Sequence, residues 1–199
     1  MGGGAPPALK DSMRRRRLSG RGARPLNFTV EGALVALRCT QRLLRRLRTD
    51  IAAEEPGTAG NALGHWYANV LTVNRIPLVL AISERSLLSV VLAGAPFSSL
   101  TTRFPQALAQ LLHALAVPED QVAAEVASMS SLSIAATGSR QLLGCLNQYA
   151  FELSVHFHYE PQATLMERQL WLSENISSAI RYSVPHELAR ELLAARGKQ

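Results

Sequence analysis

The sequence has little cysteine and almost no lysine. Of its 199 residues, only Cys39 and Cys145 are cysteines, and Lys10 and Lys198 are the only lysines. Two cysteines cannot build a disulfide-rich scaffold or a four-cysteine zinc module. No apolar run reaches the roughly 20 residues that a transmembrane helix needs, and no signal-peptide core follows the first basic residues. We therefore expect a cytoplasmic protein with free thiols and no membrane contact.

Signatures of known chemistry are also missing. The sequence contains no glycine-rich dinucleotide or phosphate loop, no G-x-S-x-G and no H-E-x-x-H. Cys39 lies in an apolar segment, where a free cysteine is usually a small buried hydrophobe. His156 and His158 resemble a metal pair, but in the helix predicted there they point about 200° apart. We predict no cofactor, no metal and no catalytic residue.

The composition is that of a chain with a folded core. Apolar residues make up 47% of the sequence and charged residues 18%, which excludes fibrous and disordered classes. We predict one domain over residues 35–194 and a short tail over residues 195–199. Residues 1–34 lack periodicity, and we expect them to be either a disordered basic tail or the product of a misassigned start.

Basic residues are concentrated at the front of the chain. Residues 1–50 hold 12 Lys and Arg against 3 Asp and Glu, whereas residues 51–199 hold 9 against 12. This asymmetry favours an anionic partner such as nucleic acid, because clustered arginines release counterions from phosphates. A solvated basic face is the commoner outcome. The candidate contacts are seven arginines: Arg14, Arg15, Arg16, Arg17, Arg42, Arg45 and Arg46.

Hydrophobic periodicity predicts strands early and helices late. A strand over Leu34–Thr40 precedes an amphipathic helix over Gln41–Arg48. An antiparallel meander follows over Trp66–Val73, Leu78–Ile82 and Leu87–Leu92, with its first turn at Asn74–Pro77. The other elements are helices over Phe104–Leu115 (with Pro105 in its first turn), Glu119–Ala127, Arg140–His158, Ala163–Leu172 and Pro185–Ala194, and a short strand over Leu132–Thr137. This order predicts an α+β fold: a small antiparallel sheet, the meander plus the first strand, covered by several helices.

Blocks of sequence spread along the chain form a recognisable pattern. They are Leu37–Leu44 (L-R-C-T-Q-R-L-L), Leu63–Leu71 (L-G-H-W-Y-A-N-V-L), Glu84–Ser89, Leu143–Gln148 and Tyr182–Pro185. Together they resemble a bacterial family of domains of unknown function, over about Val35–Leu193. The resemblance implies one fold over that length. It brings no activity, cofactor or catalytic residue.

A polar pocket is the arrangement that would favour an enzyme. Asn69 lies in a predicted strand, where a buried amide needs hydrogen-bond partners. Asn147 lies in the middle of a predicted helix, an unfavourable position for asparagine. The candidate pocket consists of Trp66, Asn69, Arg85 and Asn147. The simpler interpretation of Asn69 is a satisfied core or edge amide.

Three functions are compatible with the sequence. The first, which we favour, is a non-enzymatic binding or regulatory domain. The second is a nucleic-acid-associated protein that uses the basic front, and salt-dependent binding would support it. The third is an enzyme with a pocket near the four residues named above, and a concave site that joins them would support it.

Overall fold

The computed structural model of the chain describes residues 1–3, 35–49, 51 and 56–197. Its strands are β1 (Ala36–Cys39), β2 (Trp66–Val73), β3 (Ile76–Ser83), β4 (Ser89–Ala93) and β5 (Ser133–Ala136). Its helices are α1 (Gln41–Leu47), α2 (Leu100–Ala114), α3 (Glu119–Ala127), α4 (Arg140–Tyr159), α5 (Leu165–Ser173) and α6 (Pro185–Arg196). Within these residues, no helix combines the length and the hydropathy that crossing a bilayer requires. The candidate contacts Arg14–Arg17 lie outside the described residues.

The five strands form one mixed sheet in the order β4-β3-β2-β1-β5. Antiparallel pairing of β2, β3 and β4 confirms the predicted meander. In contrast to the expected antiparallel sheet, β1 runs parallel to both of its neighbours, with Leu37 opposite Trp66 on β2 and Ile134 on β5. Parallel strands must be joined by a long crossover connection. The connection between β1 and β2 contains α1 and provides such a crossover. The α+β class is confirmed.

The first hairpin turn is tighter than predicted. Only Asn74 and Arg75 occupy it, with φ values of 49° and 68°, as two-residue hairpin turns require. Pro77 belongs to β3 and lies beyond the last pair between β3 and β4, which joins Leu78 to Ala93. Its missing N–H therefore interrupts no pairing with β4.

Helix α2 begins at Leu100, four residues before the predicted start, so Pro105 lies inside the helix instead of in its first turn. The guanidinium group of Arg103 stabilises this earlier start. It donates hydrogen bonds to the carbonyl oxygens of Ala93 at 2.7 Å and Pro96 at 2.9 Å. The sequence signal of the proline was therefore overridden by a tertiary contact with the chain that leaves β4.

Both faces of the sheet are buried. On one face, Trp66 and Val70 of β2 belong to a core shared with α1, α2, α3 and α6. On the other face, Tyr67 and Leu71 belong to a core shared with α4 and α5. Alternate side chains of a strand point to opposite faces, so this one strand serves two cores.

Helix α5 covers the outer edge of β4. The side-chain oxygen of Gln169 accepts a hydrogen bond from the backbone N–H of Val91 at 2.9 Å. Gln169 is itself buried. An unpaired strand edge is a template for association, and this contact satisfies one of the donors along that edge.

Helix α1 packs as its periodicity predicted: Leu43 and Leu44 are buried in the first core, Leu47 packs against it, and the arginines between them are exposed. We expect Leu44→Asp to lower the free energy of unfolding by about 3 kcal/mol or more, because it buries a charge. Circular dichroism melting measures the effect. The matched control is Arg45→Asp at the exposed neighbouring position. Equal melting temperatures for the two variants would contradict the packing.

Candidate functional site

The four residues of the predicted pocket do not meet in one place. Trp66 is buried in the first core, against the ring of Phe104 at 5.0 Å. Asn69 lies three positions further along β2 and therefore on the other face, where its Oδ1 accepts a hydrogen bond from Thr40 Oγ1 at 2.8 Å. Asn147 is exposed on α4. Asn69 is half-buried in β2, and its Oδ1 is held by the hydrogen bond from Thr40.

Arg85, the fourth residue, lines a different cavity. This cavity has a volume of about 380 Å³ and lies between loop 59–62, the turn that joins β3 to β4, and the C-terminal end of α6. Among the described residues that line it, the charged side chains are Arg85 and Arg196, and none is a carboxylate. We call it the Arg85–Arg196 cavity.

Arg85 holds the loop that forms one wall of the cavity. Its guanidinium group donates hydrogen bonds to the carbonyl oxygens of Asn61 at 2.9 Å, Ala62 at 3.3 Å and Ala59 at 3.3 Å. A guanidinium has five N–H groups in a rigid plane, so these bonds fix its orientation and leave N–H groups available for a ligand.

Gly64 makes room for Arg85. Its φ of +80° belongs to the left-handed region that side chains other than glycine's rarely adopt. A Cβ atom at Gly64 would also lie 3.1 Å from Cγ of Arg85 and 3.1 Å from Cβ of Glu84. Glycine is therefore required here both by the backbone conformation and by the close approach of the turn.

A buried carboxylate holds the same loop from behind. Glu125 of α3 accepts hydrogen bonds from Asn61 Nδ2 at 2.6 Å, from the Ala62 N–H at 2.9 Å and from the Leu63 N–H at 3.2 Å. Burial raises the pKa of Glu125 above its ordinary value, although these three bonds oppose the shift. Glu125 thus ties α3 to the segment that leads into β2.

His65 has a structural role next to this loop. Its Nδ1 accepts a hydrogen bond from the Ala36 N–H at 3.1 Å, so the ring proton of the neutral imidazole is on Nε2. Nε2 then donates to the carbonyl oxygen of Gly57 at 2.7 Å. Glu84 accepts from the backbone N–H of His65 at 3.1 Å. These bonds join β1, the loop and the turn that holds Arg85.

Arg196 is the second cation of the cavity and, like Arg85, is exposed. It makes no hydrogen bond or ion pair within the part of the chain that the structure describes, and Glu125 is near enough to interact with it electrostatically. A smaller cavity of about 130 Å³ is also lined by Arg196, together with Asp120 and Glu125. Arg196 is therefore a charged side chain available to a ligand beside a fixed wall.

The cysteine and histidine candidates have ordinary structural environments. Cys39 is buried in β1, and burial raises the pKa of its thiol to about 12. His156 Nδ1 accepts a hydrogen bond from the buried guanidinium of Arg168 at 2.7 Å, and its ring lies 4.4 Å from that of Trp171. Among the described residues, no three His, Cys, Asp or Glu side chains are grouped to hold a metal ion.

The arginines of α1 remain candidates for an anionic partner. Arg42, Arg45 and Arg46 are exposed on the side of α1 opposite its buried leucines. None of the three forms an ion pair with another described residue. They form a short cationic surface on a helix of seven residues.

By its fold, the protein is of the α+β class, and the Arg85–Arg196 cavity is the candidate site of this domain. A family model described as a domain of unknown function (DUF6933) matches residues 36–188. The chain belongs to this family, as the resemblance of its sequence blocks indicated. No curated protein and no solved structure matches it.

Sequence reasoning found Arg85 but missed Glu125, Asn61 and Arg196. A signal for Glu125 was present, since it falls three residues after Val122 and four before Met129, on the buried face of α3. A charged residue at such a position needs buried partners. Asn61 and Arg196 give no comparable signal, because their roles depend on contacts between segments distant in the chain.

We expect Glu125→Ala to lower the free energy of unfolding by about 3 kcal/mol, because it leaves three donors without an acceptor and each such group costs about 1–3 kcal/mol. Urea unfolding monitored by tryptophan fluorescence measures this loss. Glu119→Ala, at the exposed start of the same helix, is the matched control and should change stability by less than about 1 kcal/mol. Similar losses in both variants would contradict the anchoring role of Glu125.

Proposed function

We propose that this chain is a non-enzymatic binding domain of a bacterial cytoplasmic protein, and that it binds a small ligand in the Arg85–Arg196 cavity. The proposal rests on one observation: the wall of the cavity is a loop fixed by hydrogen bonds, and next to it lies an arginine that forms none with the described residues. Loop 59–62 is held by hydrogen bonds from Arg85 and to Glu125, whereas Arg196 forms no hydrogen bond or ion pair within the described residues.

The size of the cavity supports a small ligand. Pockets for small molecules typically have volumes of about 300–1,000 Å³, and this cavity, at about 380 Å³, lies near the lower end of that range. A ligand of a few heavy atoms fits such a space. A polymer would instead contact it through one protruding group.

The polar groups around the cavity favour binding over catalysis. His65, Glu84 and Glu125 all hydrogen-bond to backbone groups of the wall or of the chain next to it. Side chains used in this way hold a binding surface in a fixed geometry. The buried thiol of Cys39 lies in the core of the sheet and does not line the cavity.

Native mass spectrometry tests the proposal. The full chain is incubated with the small-molecule fraction of a bacterial cell extract and desalted, and we expect a discrete adduct. Ala195→Trp places an indole at the cavity rim and should abolish the adduct, whereas Ala123→Trp, at an exposed position of α3 away from the cavity, should retain it. Failure to detect an adduct, or its persistence in Ala195→Trp, would overturn the proposal.

A second candidate function, nucleic-acid association, is favoured by the exposed arginines of α1. Each phosphate contact that is lost should lower the slope of log affinity against log salt by about one. We expect Arg42→Gln with Arg46→Gln to lower that slope by about two for a DNA duplex in fluorescence anisotropy. The control is Arg140→Gln with Arg190→Gln, which removes the same charge from other exposed positions. Equal slopes for the two double variants would exclude a contact through α1.

A further inference from the structure

We infer that the ligand of the Arg85–Arg196 cavity carries a phosphate group, as a small phosphomonoester does. This inference rests on the proposed function and names the class of its ligand. It follows from the charge of the cavity, from the number and origin of its hydrogen-bond donors, and from one buried acceptor that has no partner.

Among the described residues that line the cavity, the two charged side chains are both positive. Arg85 and Arg196 approach it from different elements, the turn after β3 and the end of α6. The C-terminal end of a helix opposes an anion, but its partial charge of about half an elementary charge is smaller than that of the two guanidinium groups. Glu125 is not among the residues that line this cavity, and its carboxylate oxygens already accept three hydrogen bonds from Asn61, Ala62 and Leu63. The cavity therefore favours an anion.

The candidate donors belong to three chain segments. Besides the two guanidinium groups, they are the backbone N–H groups of three residues that line the cavity, Ala59, Gly60 and Asn61, which donate to no acceptor in the described part of the chain. Gly60 has no side chain to shield its amide. A tetrahedral phosphate accepts hydrogen bonds from several directions and balances two positive charges, whereas a planar carboxylate has two oxygens and one charge. The donor set therefore fits phosphate better.

A buried acceptor fits the organic part of a phosphomonoester. The Nδ2 group of Asn61 is committed to Glu125, so the amide orientation is set and Oδ1 is the atom left over. Asn61 is 2% exposed, and its Oδ1 has no hydrogen-bond partner. Buried acceptors are normally satisfied. A hydroxyl group of the ligand would supply the missing donor.

The test uses the full chain, labelled with nitrogen-15, and inorganic phosphate as the probe. The amide signals of Gly60 and Ala62 are followed at constant ionic strength, with sulfate and acetate titrated in parallel. We expect saturable shifts with phosphate, smaller affinity for acetate, and sulfate binding at the same signals because it is also a tetrahedral dianion. Arg196→Gln should weaken phosphate binding about tenfold or more, since it removes a charge-assisted contact. Arg190→Gln, an equal charge change at an exposed position of the same helix, should weaken it less than about twofold.

The outcomes separate this inference from the proposed function. Acetate that binds as tightly as phosphate, or equal losses in Arg190→Gln and Arg196→Gln, would overturn the phosphate assignment. If phosphate leaves the loop signals unchanged but the extract adduct is still abolished by Ala195→Trp, the inference fails and the binding function stands. If neither phosphate nor the extract yields binding at the cavity, both fail.

Discussion

The buried carboxylate of Glu125 must be matched by donors, and the chain supplies three of them from one short segment. Asn61, Ala62 and Leu63 come directly before β2, so satisfying Glu125 also determines where that central strand begins. An uncompensated buried carboxylate would cost far more than any single apolar contact contributes. The position of α3, the course of the loop and the start of β2 are therefore mutually dependent.

The sheet imposes a second constraint, since both of its faces are covered. Its strands can be almost continuously apolar, as the buried positions of β3 illustrate. Polar side chains that could bind a ligand therefore lie in the loops and at the helix ends. Two hydrogen bonds fix polar side chains near the sheet. Thr40 pairs with Asn69, and Gln169 pairs with the edge strand. The groups that remain available for ligands are at the periphery, where Arg196 lies.

Because these polar side chains near the sheet are engaged in hydrogen bonds, whereas Arg196 at the periphery forms none with another described residue, we assign ligand binding to the cavity and a structural role to the residues around it. A ligand gains most from a site that is already ordered, because little conformational entropy is lost on binding. Arg85 contributes to both roles, since three of its hydrogen bonds order the loop while the guanidinium still lines the cavity. Arg196 adds charge without any supporting bond in the described chain.

Local patterns in the sequence predicted the order of the elements and the buried face of α1. Aromatic and β-branched enrichment predicted β2, and Pro118 predicted the start of α3, both at their observed bounds. Periodicity identified the leucines by which α1 packs, because local side-chain spacing decides which residues share a face. Because successive side chains of a strand alternate between its two faces, Trp66 and Asn69, three residues apart in β2, lie on opposite faces of the sheet. The parallel placement of β1 and the lining of one cavity by both Arg85 and Arg196 were not predictable in this way. These depend on how segments far apart in the chain pack together, and no local pattern records such contacts.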